Sequence, residues 1–504
     1  MSALRRKLAI APDVQRPAWA QANAARELLA PLLVGAWQDS CKGDREALAR
    51  LSGLSYESLQ HILVRWAHES DPPLRRVGDI WMIAAQEDAW RLIACYLTDD
   101  DLNRFQTVAI EILSELDPAF ELPPDQRYAA SIYGKVLTRS GQLRNGIVET
   151  LALMATLSSE VPFMANRNGE AVAHSIVYRL LEKAKEEGDL WASLAYQLPL
   201  LAEAAPDIFL EAVEAGLSGE HPVLVTLFQD QASNAAFHSS SPHTGLLWAL
   251  ETLAWNPDYL GQSALCLARL AHLDPGGRLL NRPIKSLRDI FICWYPNTTA
   301  PLGHRLRVLD TIRKQEPKVA WQLLLALLPN HHSTVSPTHR IKWRDWVPGP
   351  RPEITIQEYF EATNTILEWL LLDAHANANR WCRLITAATG LKIEQQEILI
   401  QQLETLDPTQ FISRDRVQIC DCLRHETIRH RDYPDANWAM PANYVERLEA
   451  IGICFEPKDL IERYSWLFKI SMEIPERRRR SWEERENIIE ELRNKWVSTI
   501  NYTM

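Results

Sequence analysis

An all-α fold, an α-solenoid of stacked helical hairpins with a small winged-helix module near its N-terminus, is predicted by three features of the chain. Short apolar stripes at helical spacing recur from residue 87 onward. Breaks of two to eight residues separate them in the central stretch, at signals such as Asn256-Pro257-Asp258, Asp274-Pro275-Gly276-Gly277 and Gln315-Glu316-Pro317. Only 19 of the 504 residues are Gly. That is well below the usual ~7% share and poor material for nucleotide-binding loops or β-sandwich turns.

The elements follow in chain order. Residues 1–40 read as an arm and a helix whose stripe runs through Ala24, Leu28, Leu29, Leu32, Leu33 and Trp37, kinked by Pro31. Residues 41–98 read as the winged-helix module. Asp44 caps one helix that ends at Gly53, and Ser55 caps a second that points Leu59, Ile62, Leu63 and Trp66 inward. Two short strands then flank Gly78-Asp79. Residues 99–228 form helical repeats, with helices expected over 100–116, 124–139, 142–157, 168–187, 189–204 and 206–216. Tyr128, Ile132, Val136 and Leu137 make the inward face of the second of these, and Ile147, Leu151, Met154 and Leu157 that of the third. The polar run 229–243 reads as a linker at the start of the central repeats, 229–328. There Leu247, Leu250 and Leu253 make one face, Leu260, Ala264 and Leu267 the next, and Leu287, Ile290 and Phe291 a third. A long loop, 329–353, precedes a C-terminal helical region, 354–504.

Composition narrows function. The net charge of −11 leaves no whole-surface basic face for a nucleic acid. Eight scattered Cys read as reduced thiols of a cytoplasmic protein, with Cys420 and Cys422 the only close pair and pointing apart on a helix. No apolar run suits a signal peptide or a membrane span. Neither a P-loop, a GxGxxG, an HExxH, a GxSxG nor a CxxC motif occurs, so no enzyme activity, catalytic residue or cofactor is predicted.

Three constellations remain. His425 and His430 are five apart, off one helical face, and predict no metal site. In the long loop, His331, His332, His339 and Asp345 offer possible ligands without fixed spacing. Arg340, Lys342, Trp343, Arg344 and Trp346 of the same loop, with Arg351 beyond them, combine aromatic area with cationic tips and are the candidate partner-binding residues. The same mixture could stack bases and neutralise phosphates; the preferred alternative to that is a loop pinned by two buried Trp with their Arg neighbours solvated. Arg477 to Arg480 pair with Glu483 and Glu484 at i,i+4 spacing and read as a solvated helix. If the winged helix bound nucleic acid, as a transcriptional regulator would, Arg65, Arg75 and Arg76 would carry it. Glu57 and Glu69 oppose that reading, and a packing role is preferred.

The segments LLVGAWQDSCKGDREALARLSGLSYESL and DPPLRRVGDIWMI resemble the winged-helix region of large bacterial STAND-type NTPases, signal-transduction ATPases with numerous domains. LAWNPDYL, LARLAHLDPGG, SLRDIF, RHRDYPDANWAMP and EPKDLIERYSWLF resemble the helical region that follows it. The resemblance implies a sensor or scaffold half of a signalling system, often antiphage defence, whose partner is a protein such as a separate NTPase or effector chain. No Walker A lysine is present, so the nucleotide site of that family has no counterpart here.

Overall fold

A computed structural model of the chain describes residues 16–165, 167–229, 241–330, 334–347 and 353–459, together with 462, 487, 490, 493, 494 and 497. Helices dominate, with one small antiparallel sheet among the described residues. The chain divides into two compact units: residues 1–291, 296–319 and 337–352 make the first, and 292–295, 320–336 and 353–504 the second.

Unit 1 opens with α1 (Ala22–Val34), β1 (Ala36–Gln38), α2 (Lys42–Ser52), α3 (Tyr56–Ala67), β2 (Leu74–Val77) and β3 (Ile80–Ile83). The sheet order is β1-β3-β2, with Trp37 opposite Trp81 and Arg76 opposite Trp81 on the other side. The two indoles stack 6.0 Å apart and nearly parallel. Gly53 ends α2 in the left-handed conformation, and the Ser55 hydroxyl caps α3 by accepting the Ser58 N–H.

Two sequence expectations fail in this region. Trp37 lies in a strand, because Gly35, at φ 69°, stops α1 and turns the chain. Asp44 is not the cap of α2, which Cys41 occupies. Asp44 is instead fully buried and accepts the N–H groups of Gln38 and Ser140 at 2.8 and 2.9 Å, tying β1 to the start of a helix 96 residues later.

The remaining helices of unit 1 are α4 (Gln86–Ile93), α5 (Asp99–Leu113), α6 (Gly141–Thr156), α7 (Gly169–Ala184), α8 (Gly188–Ser193), α9 (Leu198–Ala204), α10 (Pro206–Gly216), α11 (His243–Leu253), α12 (Pro257–Leu273), α13 (Pro283–Phe291) and α14 (Leu302–Gln315). Their starts carry the expected signals. Thr98 and Asp101 form a capping box, Ser140, Asn168 and Asn256 cap through their side chains, and Pro206 and Pro257 open their helices. One row of contacts runs α1–α6–α9–α11, and a second runs α5–α7–α10–α12. Leu151, Leu201, Leu247 and Leu250 are fully buried in the first row, as are Ile176, Phe209 and Leu267 in the second. Arg144 is a polar exception: its buried guanidinium donates to the carbonyls of Ile112 and Ser193, at the C-terminal ends of α5 and α8.

Residues 124–139 do not form the expected helix. After Pro123-Pro124 the chain makes a short 3-10 turn at Arg127–Ala129 and closes at Gly134, where the Lys135 N–H reaches the Ala130 carbonyl at 2.9 Å. Tyr128, Ile132 and Val136, expected inward, are exposed. The helix expected over 189–204 is likewise two, α8 and α9, broken at residues 194–197.

α15 (Pro317–Leu327) begins in unit 1 and continues into unit 2. Unit 2 further holds α16 (Ile356–Ala374), α17 (Ala378–Ala387), α18 (Ile393–Glu404), α19 (Ser413–Asp432) and α20 (Ala442–Cys454). α19 packs between α17 and α20, and α18 between α16 and α20. His430 is a core residue here. Its Nδ1 accepts the Met440 N–H at 3.1 Å, and burial, helped by nearby Arg429, lowers its pKa to about 4. Of the expected C-terminal helical region, the residues beyond 459, Arg477 to Arg480 among them, lie outside the described residues apart from scattered positions.

The first row depends on a close approach of α6 to the α1–β1 junction. A Cβ on Gly146 would sit 2.0 Å from the Val34 carbonyl oxygen and 2.7 Å from the Ala36 nitrogen, both main-chain atoms that cannot swing away. Gly146→Ala is expected to destabilise unit 1 by about 2–3 kcal/mol. Gly141→Ala, on the same helix with open space around it, should be neutral or stabilising by about 0.5 kcal/mol. Chemical denaturation of the two variants checks the pair; equal losses would contradict it.

Candidate functional site

The candidate partner-binding residues lie in a non-helical strap, residues 337–347, that is fastened to unit 1 by two buried glutamates. Glu203 is the penultimate residue of α9 and Glu251 lies near the end of α11, the pair of neighbouring helices in the first row. Both helices are otherwise apolar around these positions: Leu201, Ala202, Ala204, Leu250 and Leu253 are buried.

Glu203 is 1% exposed. Its carboxylate accepts three consecutive main-chain N–H groups of the strap, from Lys342 at 3.1 Å, from Trp343, and from Arg344 at 2.7 Å. The Arg344 side chain completes the joint by donating Nε to the Glu203 carbonyl at 2.6 Å, where the carbonyls at the end of α9 await donors. Burial raises the Glu203 pKa, and the three strap amides together with the Arg344 charge oppose the rise. Charge-assisted bonds of this kind contribute about 1.5–3 kcal/mol each, against a desolvation cost of several kcal/mol for the carboxylate.

Glu251 fixes the other end. One oxygen accepts the His339 N–H at 2.8 Å and the other the Ser286 hydroxyl at 2.6 Å. Burial raises its pKa as well. His339 is held on every side: its ring stacks on Trp248, its Nδ1 lies 2.9 Å from the Thr252 hydroxyl, and its carbonyl accepts the Trp255 indole N–H at 2.9 Å. The Thr252 hydroxyl already donates to the Trp248 carbonyl, so the His339 Nδ1 carries the proton.

This mounting sets what each strap side chain does. Arg340 is exposed. Lys342 is exposed too, with its Nζ 2.6 Å from Glu149 and 5.4 Å from the centre of the Trp343 ring. Trp343 and Trp346 are half-buried. Trp346 packs against Tyr259 and lies under the Arg344 guanidinium. The structure therefore gathers all five candidate residues into one strap, with its main chain facing α9. His339 and Asp345 of the possible metal ligands are described, and His331, His332 and Arg351 lie outside the described residues. Among the described residues no group of three or more His, Cys, Asp and Glu could hold a metal.

The residues of the nucleic-acid alternative are spread differently. Arg65 pairs with Glu27, whose carboxylate also accepts the Trp66 indole N–H at 2.7 Å. Arg76 pairs at 2.9 Å with Asp39 and covers the Trp81 ring. Asp39 is buried and also accepts the Tyr56 hydroxyl, whose pKa is raised by burial and by that bond. Arg75 is exposed on β2. Two of the three cations are thus engaged by carboxylates that precede residue 41, Glu27 and Asp39.

The fastening residues, Glu203 and Glu251, were missed in the sequence. Their one signal is a lone carboxylate inside an apolar run, LLAEAA and ALETLA. That signal names a buried acid but not the segment it holds.

No family model matches the sequence, and no curated protein matches it. Among solved structures, an engineered protein aligns over 90% of this chain and 98% of its own at 14% identity, with a TM-score of 0.23, too low to bear on fold or function.

The raised Glu203 pKa gives a signed expectation. A carboxyl whose folded pKa lies above its unfolded value contributes fully below the unfolded value and loses that contribution as pH rises through the folded one. The stability advantage of wild type over Glu203→Gln should therefore shrink as pH rises from about 4.3, the ordinary glutamate value. Glu251 is common to both proteins and cancels. Denaturation of the pair across pH 4–8 tests this; an advantage that grows with pH would show that the strap amides outweigh burial.

Proposed function

We propose that this chain is a non-enzymatic helical-repeat scaffold that binds a protein partner through the strap. The two rows of helices in unit 1 support a solenoid of stacked hairpins, in which α5 to α12 supply successive pairs. The order α1-β1-α2-α3-β2-β3, with its three-stranded antiparallel sheet, supports a winged helix at the N-terminal end. That module serves packing: Arg65 and Arg76 are neutralised within it, and Asp44 ties it to α6.

The observation that carries the proposal is the mounting of Trp343, Arg344 and Trp346 on Glu203. Aromatic and cationic residues dominate interface energetics, and a segment already ordered before binding loses little entropy on docking. The resemblance to the helical regions of STAND-type signalling NTPases makes a separate NTPase or effector chain, in a bacterial signalling or antiphage-defence system, the partner to seek first.

Affinity capture of interacting proteins with the full chain as bait, followed by titration of the captured protein, tests this reading. Arg340→Glu with Lys342→Glu alters exposed tips without touching the Glu203 joint, and should weaken binding at least tenfold with melting unchanged. Trp346→Ala should weaken it further. Unaltered affinity in both would overturn the strap as the contact. The nucleic-acid alternative predicts retardation of duplex DNA at about 50 mM salt, lost as salt rises; the packing reading predicts none.

A further inference from the structure

The geometry points to Cys382 and Cys422 as a peroxide-sensitive dithiol that closes reversibly to a disulfide between α17 and α19 of unit 2. The sequence separates the two by 40 residues, and the fold brings them together. The Cys422 thiol points at the Cys382 carbonyl oxygen, 3.5 Å away. The Cys382 thiol points back at the Gln418 carbonyl oxygen, 3.6 Å away and one helical turn before Cys422. Each sulfur thus lies against the other cysteine's stretch of helix, on helices that pack directly. Thr386 donates its hydroxyl to the same Cys382 carbonyl at 3.0 Å, fixing that edge of α17. Both cysteines are reduced and partly exposed, whereas Cys266, Cys293 and Cys420 are buried.

The two thiols are chemically unequal. A hydrogen bond from Cys422 lowers the Cys382 pKa, while that same contact and burial raise the Cys422 pKa. A partly exposed thiol whose pKa is lowered, beside a second thiol, is the arrangement of an attacking and a resolving cysteine. The Cys382 thiolate attacks one oxygen of a hydroperoxide, the O–O bond breaks, and water or an alcohol leaves with the proton. Cys382 becomes a sulfenic acid. The Cys422 sulfur then attacks the Cys382 sulfur, the S–S bond forms and water leaves. In sum, two thiols lose two electrons and two protons, and one peroxide is reduced.

The test treats the reduced full-length protein with hydrogen peroxide, blocks remaining thiols, and maps peptides without reduction. Wild type should yield a Cys382–Cys422 linked peptide that dithiothreitol reverses. Cys454, a free and exposed thiol, serves as the internal reference, and Cys382 should oxidise several-fold faster than it. Cys422→Ser should trap a dimedone-reactive sulfenic acid at Cys382. Cys382→Ser should leave Cys422 reduced over the time in which wild type reacts fully. Serine is close in size to cysteine, and unchanged melting of both variants confirms that the helices still pack. Oxidation of Cys382 no faster than of Cys454, or linkage of either residue to a different cysteine, overturns the proposal.

Discussion

A carboxylate placed in an apolar helix junction must be satisfied or expelled, and Glu203 is satisfied by the strap. Three successive amides and an arginine converge on the end of α9. A non-helical segment has no ladder of its own to pair its N–H groups, so a buried acceptor is the simplest way to hold one against a helical body. The joint serves both parties: it offsets part of the cost of the buried acid and fixes the strap's register. Glu251 repeats the arrangement at His339, so the strap is held at two points and its side chains inherit a fixed direction.

Much of the helical framework was legible. Gly53, Ser55, Gly78, Pro206 and Asn256 act where local rules place them, because turn and cap preferences depend on a few neighbouring residues. Two of the failures share a cause. Tyr128, Ile132 and Val136 have helical spacing, but Gly134 closes the turn and leaves them in solvent. Trp37 fits the stripe of α1 until Gly35 breaks it. In each case one backbone-permissive residue outweighs an apolar pattern, since periodicity reports only which residues would share a face if the helix continued.

The strap was legible as a cluster and illegible as a mounted one. Trp and Arg at 340–346 are visible in any reading of the chain. The acids that hold them are 139 to 141 positions away for Glu203 and 88 for Glu251. Asp39 with Arg76, Asp44 with Ser140, and Cys382 with Cys422 follow the same rule. A side chain's type is local information, but its partner is set by topology. A patch of exposed cations therefore cannot be told from a self-neutralised one before the fold is known, and that distinction separates packing from nucleic-acid binding in the N-terminal module.

Partner binding through the strap requires the strap to be ordered in the free protein. Amide hydrogen exchange of Lys342, Trp343 and Arg344 reports on this directly, because each N–H is bonded to Glu203 rather than to a helix ladder. These three amides should be protected in the isolated wild-type chain and lose that protection in Glu203→Ala, while the amides of α9 and α11 stay protected. Exchange of the three at the rate of an open loop in wild type would contradict an ordered strap.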